Sequence, residues 1–393
     1  MRILIITDAY YPSRAACAVR MKVIAEVLRT FGHDVQVLAC DTSLVSAPIG
    51  YQWPDYVHFF HVAEMGEKTV VNRLRNNLSG SMGAVKAANE LGDFDAVFVT
   101  SPPLLMTRAA AKIAKRKNAR LIFDVRDIWP DVAYEMGSFT PGSIYGRVFS
   151  RIANSAYDAA SLITTVSPGK AEKIRARLKV DTSYKVEIIA NGLDLNFVEQ
   201  ECDPAVEERF ELDEGPICTY IGNIGLAQGL GRLLDLAKSR PDVRFLVFGD
   251  GAEKASLEAR AEKEAIANVR FCGLLDSQGV YTVLRHSAVS FVPLVNSNLS
   301  DSVPTKMFEA IGCGCPVLLA AQGDSVRILD DLKLGIAAAP EDFDQLRAAL
   351  DRLVDEPFSA ERVAVARKRV AESYSRQSEA EKLAILIDEI CRR

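Results

Sequence analysis

Residues 301–316, DSVPTKMFEAIGCGCP, place a helix start, a lysine and two acids within a short span. Pro304 favours the first turn of a helix, where its missing N–H costs no hydrogen bond. The free N–H groups at such a start attract anions, and Lys306 would add a full positive charge. Seven residues separate Asp301 from Glu309, so one carboxylate can lie beside the anion and the other about one helical turn beyond it. This spacing predicts a site for a ligand with phosphates and hydroxyls, such as a nucleotide sugar; a connecting loop with solvated acids is the alternative.

The rest of the chain alternates short apolar runs with helical stretches, and these elements must position the segment. Strands that alternate with helices indicate parallel sheets covered on both faces, because each crossover lays a helix on the sheet. The sequence therefore predicts an α/β fold of two Rossmann-like, doubly wound domains. The predicted strands are residues 3–7, 35–39, 57–61, 96–100, 121–125, 162–166, 186–190, 218–221, 244–248, 269–272, 289–293, 317–320 and 336–338.

The length of 393 residues is sufficient for two domains. A polar and acidic stretch at residues 195–215 interrupts the alternation and marks the expected boundary. We expect a first domain at residues 1–195, a second at residues 196–375 and a closing helix within residues 376–393.

Ligands of open α/β sheets bind beyond the carboxyl ends of the strands, and this rule selects further candidates. After the first strand, small residues including Ala16 would let the backbone approach a ligand, and Arg20 lies early in the following helix. After the strand at residues 121–125, Arg126 could neutralise a phosphate and Asp127 could accept a proton from a hydroxyl. A charged pair at the end of a buried strand is costly unless it is used or paired, so a structural ion pair is the competing interpretation.

Three stretches together resemble the family-4 retaining glycosyltransferases of GT-B architecture: residues 301–316, RDIWPD at residues 126–131 and GNIGLAQGL at residues 222–230. The first of these is similar to the Glu-x7-Glu region of that family, with Asp301 in place of the first acid. The closest similarity is to the N-acetylfucosaminyltransferase-like branch, which builds polysaccharides and O-antigens. The resemblance covers essentially the whole chain.

The resemblance implies two domains facing each other across a cleft, the first binding the acceptor and the second binding the nucleotide sugar. The closing helix would cross back to the first domain. The catalytic residues would be Asp127, Lys306 and Arg126. The donor-binding residues would be Asp301, Glu309, Gly222, Asn223, Gly249, Gly273, Leu274, Pro304, Thr305, Ala16 and Arg20.

Individual roles in that donor site also follow from the resemblance. Asp301 would hold hydroxyls of the donor sugar, Glu309 the ribose, and the backbone at Gly273 and Leu274 the edge of uracil. Lys306 and the helix amides would stabilise the leaving diphosphate.

The chain departs from the family at one place. Many members carry an Arg and a Lys near residues 223–228, where this chain has Asn223 and Gln228. Lys306 would then have to neutralise more of the phosphate charge.

The expected activity is therefore the retaining transfer of a hexosyl or N-acetylhexosaminyl group from a nucleoside-diphosphate sugar, most simply a UDP-sugar, to a hydroxyl of a polysaccharide or lipid-linked glycan. Neither a metal nor another cofactor is expected, and nucleic acid is not an expected partner. Two alternatives stay open: an isomerase of the UDP-sugar 2-epimerase type on the same fold, and a non-catalytic sugar-binding or scaffold homologue. The sequence determines neither the sugar, the acceptor and its linkage, nor the oligomeric state.

Composition agrees with a large globular enzyme, with 49% apolar and 25% charged residues. The eight cysteines lack metal-ligand spacing, and the chain shows neither a signal peptide nor an apolar run that could span a bilayer, so we expect a cytoplasmic protein. Residues 1–199 contain 24 Lys and Arg against 20 Asp and Glu, whereas the remainder contains 23 against 32. Basic residues at 106–120, and aromatic and basic residues at 144–152, also predict docking on an anionic membrane surface; solvated helices covering the sheet are the alternative.

Overall fold

The structure, a computed structural model, describes residues 1–13, 16–63, 70–135, 140, 142–178 and 185–392. The chain divides into two compact units: Met1–Asn191 together with Arg376–Arg393, and Gly192–Ser375. Each unit contains its own parallel sheet flanked by helices, which confirms the predicted α/β class with two Rossmann-like domains. None of the described helices is long and apolar enough to cross a membrane.

The first unit is organised around one parallel sheet in the order β3-β2-β1-β4-β5-β6-β7. Its strands are β1 (Arg2–Thr7), β2 (Asp34–Cys40), β3 (Val57–Phe60), β4 (Ala96–Ser101), β5 (Arg120–Val125), β6 (Leu162–Thr165) and β7 (Val186–Ile188). Alternate residues of β1 face opposite cores: Ile3 and Ile5 enter one apolar cluster, and Leu4 and Ile6 enter another. This two-sided burial explains why residues 3–6 of the strand are all apolar.

The helices of the first unit cover both faces of this sheet. They are α1 (Ala16–Thr30), α2 (Thr42–Ser46), α3 (Val70–Glu90), α4 (Leu105–Lys117), α5 (Asp131–Glu135), α6 (Ile144–Ala159) and α7 (Pro168–Arg175). The order of the strands reverses direction between β1 and β4, which is the switch point where open α/β sheets form a ligand crevice.

The second unit repeats the same plan with a sheet in the order β10-β9-β8-β11-β12-β13. Its strands are β8 (Ile217–Ile221), β9 (Arg244–Phe248), β10 (Val269–Gly273), β11 (Val289–Pro293), β12 (Val317–Ala320) and β13 (Gly335–Ala338). Here the switch point lies between β8 and β11.

The second unit is likewise covered by helices on both faces. They are α8 (Leu195–Val198), α9 (Pro204–Phe210), α10 (Gly231–Ser239), α11 (Lys254–Lys263), α12 (Ser277–His286), α13 (Thr305–Cys313), α14 (Asp324–Leu332), α15 (Phe343–Asp355) and α16 (Ala360–Ser373). A 3-10 turn, Leu226–Gln228, follows β8.

The last helix, α17 (Arg376–Arg392), belongs to the first unit. Its buried face, which includes Leu383 and Ile387, joins the apolar cluster of Ile3 and Ile5 together with residues of α1. Glu379 accepts a hydrogen bond from the Ala190 N–H at 2.7 Å, and Lys382 donates to the Ile188 carbonyl at 2.7 Å. The helix is therefore held by both apolar packing and polar contacts.

Candidate functional site

In the second unit, the predicted anion site lies at the switch point, where helix α13 follows β11. Pro304 is the residue before the helix, with an extended backbone (ψ 124°), and Thr305 is its first residue. Gly314 ends the helix with a positive φ of 82°. This confirms the loop–helix arrangement that the sequence predicted around Lys306, with the amino end of the helix at the carboxyl edge of the sheet.

The Lys306 side chain occupies a partly buried position in this site. Its Nζ atom lies 4.0 Å from the centroid of the Tyr220 ring, an arrangement in which the ring face attracts the ammonium. A Cβ atom at Gly222 would lie only 3.0 Å from the same Nζ, so the glycine leaves the space that the ammonium uses.

Burial lowers the pKa of Lys306 to about 7, and the nearby Glu309 carboxylate opposes that shift. Among the described residues, no hydrogen-bond acceptor contributes to holding the ammonium. An ammonium that is withdrawn from water without an acceptor gains strongly when an anion arrives. Lys306 is therefore suited to receive a phosphate.

Three glycine-containing loops pack against one another beside Lys306. The Gly222 N–H donates to the Phe248 carbonyl at 2.9 Å, and the Gly249 N–H donates to the Gly273 carbonyl at 2.7 Å. Gly249 has a φ of +141°, and a Cβ atom there would lie 1.8 Å from the Gly222 carbonyl oxygen. No side chain fits at this position, so bare backbone forms this part of the site.

Asn223 and Leu274 extend the site toward solvent. Asn223 is exposed, and its amide nitrogen lies 3.5 Å from the Gln228 side-chain oxygen. Leu274 follows β10 and is 59% exposed, which is unusual for a leucine and leaves its surface available to a ligand.

The two acids of the segment differ in accessibility. Glu309 lies one turn beyond Lys306 in α13 and is partly buried. Asp301 is only 5% exposed and already has an interaction partner within the protein. The carboxylate of Asp301 is thus placed in the protein interior rather than on an open surface.

The first unit contains a cavity of about 890 Å³ at the carboxyl ends of β1 to β5. Four charged or titratable residues at the strand ends reach it: Asp8 after β1, Asp41 after β2, His61 after β3 and Arg126 after β5. The remaining wall is formed by Cys40, Thr42, Leu44, Val45, Val62, Ala63, Asn76, Asn77, Pro102, Pro103, Leu104, Leu105, Trp129 and Phe149.

Arg126 is held in place by two hydrogen bonds. Its Nε donates to the Thr100 hydroxyl at 3.0 Å and its Nη2 to the Pro102 carbonyl at 3.2 Å. Asp8 keeps contact with solvent, yet the cavity walls desolvate its carboxylate and raise its pKa, while Arg126 opposes that shift. The cavity thus pairs a fixed cation with a carboxylate that favours its neutral form more than an ordinary aspartate.

A histidine and an aromatic pair complete the cavity. His61 Nδ1 lies 2.6 Å from Asp41 Oδ2, and the His61 side chain is 79% exposed. The rings of Trp129 and Phe149 lie 5.8 Å apart in a tilted arrangement. Apolar and aromatic walls with a few polar groups are typical of small-molecule sites.

Arg20 is part of a buried structural network rather than of an open surface. Its Nη2 lies 2.8 Å from Asp124 Oδ1, and the side chain also donates to the carbonyls of Ile189 and Ala190. Asp124 is fully buried and accepts further hydrogen bonds from the hydroxyls of two β-strand threonines, Thr100 and Thr164. Burial alone would raise the pKa of Asp124, but Arg20 outweighs it and lowers that pKa.

The structure thus brings together one group of the predicted residues in the second unit: Gly222, Gly249, Gly273, Pro304, Thr305, Lys306 and Glu309. In the first unit it places Arg126 in the cavity, whereas Asp127 is partly buried and is not among the residues lining it. Ala16 begins α1, but its side chain and the neighbouring Ala15 lie outside the described part of the chain.

Sequence reasoning missed Asp8, Asp41 and His61 as residues of the cavity. Each is the residue directly after one of the first three strands, so the strand-end rule could have selected them. Nothing else in the sequence connects Asp41 with His61. They are 20 positions apart and meet only because β2 pairs with β3.

Comparisons with known proteins agree with this two-unit arrangement. Residues 16–192 match the family "Glycosyl transferase 4-like domain", and residues 205–370 match "Glycosyl transferases group 1". Together the two matches cover most of both units.

Individual relatives are distant in sequence. The chain is 25% identical to 2-deoxystreptamine glucosyltransferase of Streptomyces kanamyceticus over 209 residues, which is 50% of this chain and about half, 52%, of that protein. It is 23% identical to the putative colanic acid biosynthesis glycosyl transferase WcaI of Escherichia coli (strain K12) over 353 residues, covering 82% of this chain and 84% of that protein.

The fold has solved counterparts over its whole length. Alr3699/HepE of Anabaena, in a crystal structure with UDP and glucose, aligns with a TM-score of 0.75 at 15% identity, covering 99% of this chain and 100% of that one. Because the identity is only 15%, this alignment establishes the fold alone.

Proposed function

We propose, from the premise that this chain belongs to the GT-B glycosyltransferases of family 4, that it moves a sugar from a UDP-sugar to a glycan hydroxyl with retention of configuration. The observation that carries the proposal is Lys306, a desolvated ammonium for which the described residues provide no hydrogen-bond acceptor, at the start of α13 and next to the bare backbone of Gly222. A diphosphate supplies the anion that this position lacks.

The donor would bind with its diphosphate on Lys306 and on the first N–H groups of α13. Glu309, one turn further on, would accept the ribose hydroxyls, and the backbone at Gly273 and Leu274 would contact the base. HepE, which shares the fold, has been crystallised with UDP and glucose, and this supports uridine as the nucleoside. Asn223 and Gln228 would contact the donor as neutral hydrogen-bonding groups.

The chemistry of transfer follows from where charge develops. As the sugar–phosphate bond breaks, negative charge grows on the leaving diphosphate, and Lys306 with the helix amides stabilises it without reorganisation. The acceptor hydroxyl then attacks from the face that the diphosphate leaves, and a phosphate oxygen takes its proton, so that configuration is retained. Arg126 would supply further positive charge. The prediction from sequence that Asp127 takes the hydroxyl proton is the alternative to the phosphate oxygen. Turnover should be the same with or without added Mg²⁺ or Mn²⁺.

The acceptor would bind in the cavity of the first unit. The rings of Trp129 and Phe149 offer apolar faces of the kind that stack against sugar rings, while Arg126, Asp8 and the His61–Asp41 pair offer partners for hydroxyls. Exposed apolar residues at the same opening, Leu44 and Val45, suit an acceptor with an apolar end. A lipid-linked or polysaccharide acceptor fits this description, and the relative WcaI is named for colanic acid biosynthesis.

Docking on an anionic membrane would deliver such an acceptor. Helix α4 buries Leu105, Met106, Ala109 and Ile113 against the first unit and exposes its cations on the opposite side. The first turns of α6 expose apolar and basic side chains together: Ile144 (77%), Tyr145 (54%), Val148 (47%), Arg147 and Arg151. An exposed surface that mixes apolar side chains with cations is typical of interfacial binding.

The proposal is tested by replacing Lys306 with Ala and with Met, since Met keeps the aliphatic stem over Tyr220 and removes only the charge. Turnover at saturating UDP-sugar, measured as transfer to an acceptor or as slow donor hydrolysis, should fall about 10²-fold or more in both variants. Exposed Lys263 of α11 provides the control, and Lys263→Met should retain full turnover.

Two outcomes would count against the proposal. Epimerised UDP-sugar formed without any acceptor would identify an isomerase. Tight UDP-sugar binding with neither hydrolysis nor transfer by the wild-type chain would identify a non-catalytic homologue.

A further inference from the structure

A second cluster of chemically active side chains lies in the second unit, formed by Cys202, Glu207 and His286. One ligand atom from each of the three lies within 4.8 Å of the others. His286 Nε2 is 2.9 Å from Glu207 Oε1. All three residues are partly buried, so the cluster is neither a solvated acidic patch nor an isolated thiol.

The other ring nitrogen of the histidine is also engaged. His286 Nδ1 lies 3.2 Å from Asp213 Oδ1, on the side of the ring away from Glu207. At this ion-pair distance, the Asp213 carboxylate favours the tautomer in which Nδ1 carries the proton and Nε2 carries a lone pair. Histidines that bind metals almost always interact through their other ring nitrogen with a carboxylate, a backbone carbonyl or a water, and Asp213 is placed to be such a partner.

We propose that Cys202, Glu207 and His286 bind a zinc ion, with Asp213 orienting the histidine. Sulfur, imidazole and carboxylate ligands together match Zn²⁺ better than Mg²⁺ or Ca²⁺, which prefer oxygen ligands alone. Three protein ligands leave a fourth position to water. On binding, the Cys202 thiol loses its proton to solvent, and thiolate and carboxylate together neutralise the charge of the ion.

The backbone that carries these ligands is already held in place. The Asp203 N–H donates to the Thr282 hydroxyl at 2.9 Å, and the Gln278 amide donates to the Glu201 carbonyl at 3.2 Å. These bonds fix the residues on both sides of Cys202 against helix α12. Glu207 lies in α9, and His286 is the last residue of α12. The three atoms can therefore reach zinc-binding distances when the side chains adjust, and the backbone need not refold.

The ion would link residues 202–207, near the start of the second unit, to helix α12. The bound ion would stabilise the second unit, and this role is independent of the proposed sugar transfer.

Cobalt(II) is the probe that reports the sulfur directly. Titration of the full chain with Co²⁺ should produce a sulfur-to-cobalt charge-transfer band, which Zn²⁺ then abolishes by displacement. The band should be absent in Cys202→Ser and retained in Cys272→Ser, a matched variant of another partly buried cysteine in the same unit.

Zinc binding should also be measured by calorimetry and by the melting temperature. We expect Asp213→Asn to weaken zinc affinity about 10–100-fold, the effect of losing a carboxylate behind a metal-bound histidine. Zn²⁺ should raise the melting temperature of the wild type in a concentration-dependent way, and should not raise that of Cys202→Ser.

A charge-transfer band that persists in Cys202→Ser, or a wild type that shows neither band nor zinc-dependent stabilisation, would overturn the proposal. Because no readout uses sugar transfer, this result stands whether or not the transferase assignment holds.

Discussion

At the scale of single residues, Glu309 is the donor contact that the structure leaves best placed for a direct test. It lies one turn along α13 from Lys306, so a ribose attached to a diphosphate at the helix start would reach it. Glu309→Ala should weaken UDP binding by roughly 1–3 kcal/mol, the range for losing a charge-assisted hydrogen bond.

Isothermal calorimetry provides the measurement, with Glu262→Ala on the exposed side of α11 as the control for loss of a distant negative charge. If Glu309→Ala binds UDP as tightly as the wild type while staying folded, the ribose assignment is wrong.

Lys306 should make donor binding depend on pH. Its pKa of about 7 in the free protein means that the ammonium begins to lose its proton near neutral pH. A bound diphosphate stabilises the ammonium and raises that pKa, so binding above pH 7 must take up a proton. UDP affinity should therefore fall as pH rises from 7 to 9, by at most about tenfold per unit, because one proton is involved.

Calorimetry in buffers of different ionisation enthalpy would detect the proton that is taken up. Lys306→Met should bind UDP more weakly and lose most of the pH dependence over this range. A wild type whose affinity stays constant between pH 7 and 9 would show that the ammonium is already fully charged in the free protein.

At the scale of the elements, the ion pair of Arg20 and Asp124 joins helix α1 to strand β5 and to the backbone after β7. Removing one member of a buried pair leaves the other charge without compensation and costs about 3–5 kcal/mol. Asp124→Asn, which keeps the shape of the side chain, should therefore destabilise the first unit by about that amount. Because the pKa of Asp124 is lowered on folding, this contribution exists above its unfolded pKa and is lost as pH falls through its folded pKa.

Urea unfolding followed by a signal of the first unit would measure the loss. Glu26→Gln is the matched control, since Glu26 forms an exposed pair with Lys22 on the same helix and should change stability by less than about 1 kcal/mol. Equal effects of the two substitutions would mean that the buried pair contributes little.

The strands were predictable from sequence, and the side-chain partners were not. Each predicted strand is present with ends that differ by at most two residues, because buried parallel strands form nearly continuous apolar runs. The short helices α2 and α5 were not predicted, nor were α8 and α9 within the expected boundary at residues 195–215, since such short segments carry too little periodicity. The role of Arg20 depends on Asp124, which lies 104 positions away and has the appearance of an isolated acid within an apolar strand.

The candidate site likewise has a part that the sequence could predict and a part that it could not. Pro304, Lys306 and Glu309 belong to one short segment, so their spacing alone predicted their arrangement on α13. The cavity of the first unit combines residues from five strand ends, and only the folded sheet brings His61 beside Asp41. Asp301 shows the limit of spacing arguments: its position in the loop was predicted, whereas its burial depends on the packing of the loop around it.

At the scale of the whole molecule, the exposed cations of α4 should determine binding to anionic vesicles. Lys117 forms an ion pair with Asp93 at 3.5 Å, so Arg108, Lys115 and Arg116 are the better residues to change. Each cation near an anionic surface contributes about 1 kcal/mol, so replacing all three with Gln should weaken binding about 100-fold. Binding of the wild type should also decrease as salt increases.

Co-sedimentation with vesicles that contain phosphatidylserine is the measurement. The control replaces three exposed cations of the second unit, Arg347, Arg352 and Lys368, and should sediment as the wild type does. Wild-type protein that stays in the supernatant at low salt would show that the acceptor reaches the enzyme without membrane contact.

Helix α17 has a consequence for the order in which the protein is made. Its residues follow the entire second unit in the chain, yet their apolar face completes the core that begins with Ile3 and Ile5. On the ribosome, the first unit emerges early but lacks part of its core until residue 387 has been synthesised, whereas the second unit is continuous and needs nothing beyond Ser375. The usual order, in which the amino-terminal domain folds first, is therefore reversed for its final step: the unit that is translated first is the last to be completed.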